Sequence, residues 1–370
     1  MDGMNRVVFA VNNDLSADQR MDRTAAALEG AGIHVHLIGV GRPAAESRPG
    51  TRSWVRPCWR KPWNGKLFYL AVNLRLFLRL LRVPADLLVA VDLDTLVAVR
   101  MAGWLRGLPT GLDAHEYFPG IAEVVTRPRT RALWRWVQNR FVPGVVVATT
   151  VSDGLARLLH QDTGVSFTVV RTMPDAPTRP VPPYEPVRRL VFQGRLNAGR
   201  GLEELVDAME FVDATLTLAG DGDLERALRT RVARSELGEK VRFTGFVPPS
   251  DILDVLAGHG LAVNLYTGDA LNNRHSLNNK FFLYVQAGLP ILNIDYPEYR
   301  ALAADHPVCH WVDDVSPRAL AARIEAVLHD ADGLVAMHRA AVRARSVWIW
   351  DREADQLVTA YHRVFDQGSA

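Results

Sequence analysis

Short runs of consecutive apolar residues, rich in β-branched types, alternate along the chain with stretches whose apolar positions recur every three or four residues. The first pattern predicts strands buried on both faces and the second predicts helices. In the first half the strands are "RVVFAV", "HVHLIGV", "DLLVAVD", "TGLDA" and "GVVVATTVS", with a helix over "MDRTAAALEGAG". The second half restarts the alternation with "RRLVFQG", "ATLTLAG", "VRFTGFV", "LAVNLY" and "LPILNID". Between these lie the helical patterns "GLEELVDAMEFV", "DLERALRTRVARS" and "SDILDVLAGHG". Strands that alternate with helices predict parallel α/β sheets. Two such series imply two Rossmann-like domains, with ligands beyond the carboxyl ends of the strands.

The series are separated by "RTMPDAPTRPVPPYEP", from Arg171 to Pro186, where proline removes backbone donors and stiffens the chain into a linker. The expected division is a first domain over residues 1–175, a linker over 176–187 and a second domain over 188–345. An amphipathic terminal helix over 346–370, entered through Trp348 and Trp350, completes it.

Composition narrows the picture little. A chain of 370 residues fits two domains, and 48% hydrophobic with 23% charged residues is ordinary for a globular protein. Cys58 and Cys309 stand far apart, which disfavours a disulfide framework or a zinc site and fits a cytoplasmic setting. No basic-then-apolar leader precedes the first strand. The run "KLFYLAVNLRLFLRLLR" is interrupted by Arg75 and Arg79 and is not a membrane span.

Four stretches carry chemistry. In "VFQGRLNAGRGLEEL" a strand ends at Gln193 and Gly194 gives a turn. Arg195 and Arg200 flank the start of a helix opened by Gly201, which suits a phosphate group. Two solvated surface arginines are the competing reading. "TLAGDGDLERAL" places a Gly-Asp-Gly turn between strand and helix, and "VRFTGFVPPSDIL" ends a strand at Gly245, with Phe246 and Val247 beside it. "HSLNNKFFLYVQAGLPIL" begins with polar residues, of which Ser276, Asn278 and Asn279 are candidate helix caps. Helical spacing then puts Lys280, Leu283, Tyr284 and Ala287 on one face.

In this order the four resemble the C-terminal domain of GT-B glycosyltransferases of the retaining family 4 type. The motifs are "GRLNAGRG", "GDGDLE", "FTGFV" and "NNKFFLYVQAGLP". The first half is similar to a branch of the same enzymes through "VNNDLSADQRMDRTAAALEGAGIHVHLIG" and "LDAHEYF". It departs from them in having Asn12, Asn13 and Asp14 where a Gly-Gly pair is common. The resemblance implies a GT-B fold, two Rossmann-like domains facing each other across a cleft, with the last helix crossing back to the N-terminal domain. It implies a retaining, metal-independent glycosyltransferase that moves a sugar from a nucleotide diphosphate sugar to a small-molecule or lipid-linked acceptor, without a cofactor.

By this resemblance Arg195, Arg200 and Lys280 neutralise the diphosphate. Gly194, Phe246, Val247, Ser276, Leu277, Asn278, Asn279 and Leu283 line the donor, and His115 reaches the donor sugar or the acceptor. Asn13, Asp14, Asp18, Arg20 and Glu116 are expected on the acceptor side, with an N-cap role competing for Asp18. The pair Asp92 and Asp94 fits a turn or substrate role better than a metal site. Two departures stand out: His275 and Leu283 occupy positions where the family often carries glutamates, the later of which accepts hydrogen bonds from ribose hydroxyls. A donor with a less hydroxylated ribose, a dTDP-sugar, is the hypothesis that follows. A GT-B protein that binds a sugar nucleotide or a partner without transfer is the alternative, and a sugar-nucleotide epimerase a weaker one.

Between Arg48 and Arg82 the chain carries Arg52, Arg56, Arg60, Lys61, Lys66, Arg75 and Arg79, interleaved with Trp54, Trp59, Trp63 and Phe68, and no acid. "RPRTRALWRWVQNRF" repeats this character. Peripheral contact with an anionic membrane, recognition of an acidic or aromatic acceptor, and a solvated helix face with core tryptophans are three open readings. No nucleic-acid module is recognisable. Oligomeric state is not legible.

Overall fold

The computed structural model describes residues 5–15, 18–40, 51–55, 66–268 and 270–368. They form two compact units, one drawn from Met1–Thr172, Ala270–Ser276 and Trp350–Ala370, the other from Met173–Asp269 and Leu277–Ile349. Much of the basic stretch, including Arg48, Arg56, Arg60, Lys61, Trp59 and Trp63, lies outside the described residues, as do the side chains of Trp54 and Lys66.

The first unit is built on strands β1 (Arg6–Ala10), β2 (His34–Val40), β3 (Thr51–Val55), β4 (Leu87–Val91), β5 (Thr110–Ala114), β6 (Val147–Thr150) and β7 (Thr168–Val169). They are parallel, in the order β3-β2-β1-β4-β5-β6-β7. Successive side chains point to opposite faces. Val8, Ala10, Leu88 and Ala90 therefore pack under the helices Lys66–Leu80, Leu93–Arg106 and Pro128–Phe141. Val7, Phe9, Leu87 and Val89 pack under the helix Gln19–Gly30 and the terminal helix Trp350–Gly368. Covering on both faces explains why every residue of β4 and β5 is buried and why β4 is apolar throughout. The terminal helix is fixed by Tyr361, whose ring lies 5.9 Å from that of Phe9, and by Glu353, which accepts from Arg171 N at 2.7 Å.

The second unit holds β8 (Arg189–Gln193), β9 (Thr215–Ala219), β10 (Val241–Gly245), β11 (Leu261–Asn264), β12 (Ile291–Ile294) and β13 (Cys309–Val312). They too are parallel, in the order β10-β9-β8-β11-β12-β13. The stretch between Val169 and Arg189 contains neither helix nor strand.

Three strands go beyond those the sequence pattern predicts. β3 and β13 lie at sheet edges and mix polar with apolar residues, and β7 has two residues. An edge strand is covered less, so its apolar signal is weak. The units also divide the chain differently from the expected boundaries: residues 270–276 group with the first unit.

In each sheet the winding direction reverses once, between β1 and β4 and between β8 and β11. At these points the flanking connections leave to opposite faces and open a crevice at the carboxyl ends.

Candidate functional site

In the second unit the turn after β8 and the turn after β9 meet backbone to backbone. Gly194 N donates to Ala219 O at 2.9 Å, and Leu196 N to Asp221 O at 2.8 Å. Gly220 has φ 145°, and a Cβ there would stand 2.0 Å from Gly194 O, so only glycine allows the approach. Arg195 is exposed and donates to Asp221 Oδ1 at 2.5 Å. Arg200 is half-buried and makes no ion pair or hydrogen bond among the described residues.

At the carboxyl end of β11, Asn278 caps the helix Asn279–Gln286 by accepting from Phe281 N at 3.0 Å. Its Nδ2 donates to Asn264 Oδ1 at 2.8 Å and to Tyr266 Oη at 3.0 Å. Asn264 in turn donates to Asn293 Oδ1 at 2.6 Å. Tyr284 Oη accepts from Gln193 N at 2.9 Å, tying that helix to the end of β8. This network fixes the first turn, and the first turn carries Lys280.

Lys280 is only 4% exposed, and its Nζ has no hydrogen-bond partner. It sits 4.2 Å from the Phe192 ring centroid and 5.4 Å from that of Tyr266. Burial, and then the charge of Arg200, push its pKa well below the ordinary lysine value. Ring faces offset part of the lost hydration, but an ammonium without an acceptor remains costly. An anion is what this position lacks.

In the first unit β4 and β5 deliver Asp92, Asp113 and His115 side by side. Asp92 has φ 62°, uncommon for a residue with a Cβ. The conformation is held on three sides. Its Oδ1 accepts from His115 N at 2.7 Å and Glu116 N at 3.2 Å, and its own N donates to Asp113 O at 2.9 Å. Asp113, 2% exposed, accepts from Thr149 Oγ1 at 2.7 Å and from Arg20 at 3.2 Å. Its other oxygen lies 2.8 Å from His115 Nε2, and Arg20 Nε lies at the same distance from that nitrogen. Burial alone would raise the Asp113 carboxyl and lower the His115 ring. The paired charges reverse both: Arg20 and His115 hold Asp113 well below the carboxylate range, and Asp113 and Asp92 raise His115.

Beside them Asp94 Oδ2 accepts from Asn12 Nδ2 at 2.7 Å, while Asp94 Oδ1 and Asn12 Oδ1 are buried without partners. Burial, reinforced by neighbouring carboxylates, pushes Asp92 up to about 7 and Asp94 up to about 6. Among the described residues no group of three or more His, Cys, Asp and Glu side chains is placed to hold a metal ion.

The structure brings Gly194, Arg200, Asn278, Asn279 and Lys280 to the β8/β11 switch point and His115 to the β4/β5 ends. Phe246 is 69% exposed and Val247 half-buried on the loop after β10. Several expectations are corrected. Ser276 follows the helix Leu271–His275 and groups with the first unit, and Asn278, not Ser276, is the cap. Leu277 is a core side chain. Leu283, by contrast, is only half-buried, packed against that core with part of its side chain left exposed. The helix after Gly201 spans only Leu202–Ala208 and carries Glu203 and Glu204 in its first turn, so its dipole is already offset and cations must supply the positive field. Asp18 caps the helix Gln19–Gly30, accepting from Met21 N at 3.1 Å. Arg20 is turned inward, where it also donates to Thr172 Oγ1 at 2.6 Å and Val170 O at 3.2 Å. Asn13 and Asp14 are exposed, as is Glu116.

Asp113, Asn264, Asn293 and Tyr266 were not singled out by sequence. The signal was present: "LAVN" and "ILNI" each place an asparagine inside a buried strand, and a buried polar group needs partners.

Residues 17–176 match the family described as Glycosyl transferase 4-like domain, and residues 187–330 match Glycosyl transferases group 1. A 2-deoxystreptamine glucosyltransferase of Streptomyces kanamyceticus is 29% identical over 206 residues, 47% of this chain and 52% of that protein, so the match spans about half of the relative's length. Two solved structures share the fold. Anabaena HepE in complex with UDP and glucose has a TM-score of 0.73 at 16% identity, covering 98% of this chain and 99% of that one. Sucrose-phosphate synthase from Thermosynechococcus elongatus has a TM-score of 0.77 at 14% identity, covering 98% and 100%. With its two parts matched in sequence over most of the chain and both sheets wound as in these structures, the chain belongs to the GT-B glycosyltransferases of the group 1, family 4-like type.

Proposed function

We propose that the protein transfers a sugar from a nucleoside diphosphate sugar, with retention and without a metal. The donor is held by the second unit and the acceptor received by the first. The observation that carries this reading is Lys280, a buried amine with no hydrogen-bond partner, close enough to Arg200 to feel its charge. A diphosphate supplies the missing counter-charge, and the two cations then stabilise the leaving group as its charge grows. The preference for a dTDP-sugar rests on Leu283, which has no acceptor for a ribose 2′-hydroxyl; a hydroxyl left unpaired in a closed site costs about 1–3 kcal/mol.

His115 is the group we assign to the donor sugar or acceptor, oriented by Asp113 and Asp92. The curated relative makes 2-deoxystreptamine the first acceptor to try. Carboxylates at Asp92, Asp94 and Glu116 suit an amine-bearing molecule, and a lipid-linked acceptor is the second choice.

His275 and Leu283 also favour a second reading, a protein that binds a sugar nucleotide without transfer. The two separate in one experiment. The protein is incubated with dTDP-, UDP-, GDP- and ADP-sugars, with and without 2-deoxystreptamine and EDTA. Nucleotide release and the anomeric configuration of any product are then followed. Acceptor-dependent release insensitive to EDTA, with a retained anomer, supports transfer; tight binding with no turnover on any donor sinks it.

A further inference from the structure

Two of the three helices that cover one face of the first sheet are apolar on both sides, and the third also exposes large apolar side chains. Each has an inner stripe in the core: Val72, Leu76 and Leu80 on Lys66–Leu80, Leu96, Val99 and Ala102 on Leu93–Arg106, and Val137 on Pro128–Phe141. An ordinary surface helix is polar on the opposite side. On Lys66–Leu80 and Leu93–Arg106 the opposite side carries a second apolar stripe at the same three-to-four spacing, Leu70, Leu74 and Leu78 on one and Met101, Trp104 and Leu105 on the other, and Pro128–Phe141 exposes Leu133 and Trp136 in the turn before Val137. Trp104 is 81% exposed, Leu70 66% and Trp136 58%, values that leave the larger part of each side chain in water. The inner residues of all three enter one core on one face of one sheet, so the stripes opposite them on Lys66–Leu80 and Leu93–Arg106 point away from that sheet.

The charges on these helices have one sign. "KLFYLAVNLRLFLRL" and "PRTRALWRWVQNRF" contain no acid, and the only acid of "LDTLVAVRMAGWLR" is Asp94, which is held by Asn12. Arg79, Arg82, Arg129 and Arg140 are exposed, and none makes an ion pair among the described residues. Arg82 donates to Leu78 O, and Arg140 lies over the Phe141 ring.

We infer that this face, formed by the exposed apolar residues of the three helices, docks on the surface of an anionic bilayer. Tryptophan and leucine enter the boundary between headgroups and acyl chains while arginines reach the phosphates. A protein partner or a second copy would have to cover a face that is cationic throughout and has no acid of its own, so self-pairing sets arginine against arginine. A sheet of phosphates bordering hydrocarbon satisfies both halves of the surface at once. The helices lie on the membrane and do not enter it, since among the described residues none is long and apolar enough to cross.

The test is co-sedimentation of the full chain with vesicles of phosphatidylcholine alone and of phosphatidylcholine with phosphatidylglycerol, at low and high salt. The expected result is binding to the anionic vesicles that falls at least tenfold in neutral vesicles or high salt. Two variants are compared, Leu74→Ser/Trp104→Ser and Arg79→Gln/Arg129→Gln, each checked for an unchanged melting temperature. All four positions are exposed and lie outside the donor and acceptor residues, so both variants should fold and keep nucleotide binding. Each should lose about tenfold in vesicle binding. Absence of binding by the unaltered protein, or binding by both variants that equals that of the unaltered protein, overturns the inference. So does a dimer in sedimentation equilibrium that Leu74→Ser/Trp104→Ser dissociates, because the face would then belong to a second copy.

Discussion

Asp113 holds His115 by its ring: one carboxylate oxygen lies 2.8 Å from His115 Nε2 while the other accepts from Thr149 and Arg20. The buried carboxylate is thereby shared between a cation that keeps it ionised and a ring whose pKa it raises.

Removing that charge should act on both. Asp113→Asn leaves Arg20 buried without its counter-ion, and the expected loss of stability is about 3–5 kcal/mol. The raised pKa of His115 should fall. His115 protonation stabilises the fold fully below the ordinary value of 6.5, and that contribution disappears as pH rises through the raised folded value. Asp113→Asn should shift this loss to lower pH. Thermal melts across pH, with an NMR titration of the His115 ring proton, check it; an unmoved His115 titration would refute the pairing.

Lys280→Met should separate stability from binding. The side chain is buried and its ammonium unpaired, so the methionine variant is expected to be more stable without ligand by about 1–3 kcal/mol. Nucleoside diphosphate affinity should fall roughly 30-fold or more, corresponding to about 2 kcal/mol for a hydrogen bond to a charged group. The pH dependence follows from the direction of the shift. The unfolded chain binds a proton at Lys280 that the fold gives up, so stability rises with pH from the depressed folded value up to the ordinary 10.5. That rise should be missing in Lys280→Met. Calorimetric titration with dTDP and UDP, together with melts at several pH values, measures both.

The acids at the end of β4 should leave a mark of their own. With Asp92 near 7 and Asp94 near 6, the fold holds protons that the unfolded chain has released above about 4. Stability therefore declines between about pH 4 and pH 7, and the cost is fully present above 7. Asp94→Asn should flatten this decline, because Asn12 can still hydrogen-bond the amide. A steeper decline in the variant would contradict the assignment.

Leu283→Glu tests donor choice. A carboxylate there offers acceptors to a ribose 2′-hydroxyl, so affinity for UDP relative to dTDP should rise about tenfold, within the 1–3 kcal/mol that an unpaired hydroxyl costs. Competition binding of the two nucleotides gives the ratio. If the ratio is unchanged, Leu283 does not face the ribose.

The sequence alone determined the secondary structure of the buried strands and the two-sheet organisation, because burial on both faces forces the apolar runs seen in β1 and β4. It also carried the motifs that mark the family, since Gly220 and Asn278 serve local geometry that few other residues allow. Tertiary structure decided what each polar residue meets. Arg20 and Asp113 are 93 residues apart in the chain, and only the sheet order brings helix Gln19–Gly30 over the end of β5. Lys280 reads as one more basic residue until packing buries it against Phe192 and Tyr266 with no acceptor. Helical spacing alone put Leu283 on the Lys280 face; packing made one half-buried core and the other an unmatched charge. Such pairings depend on contacts distant in sequence and on the cost of desolvating a charge, neither of which a local pattern records.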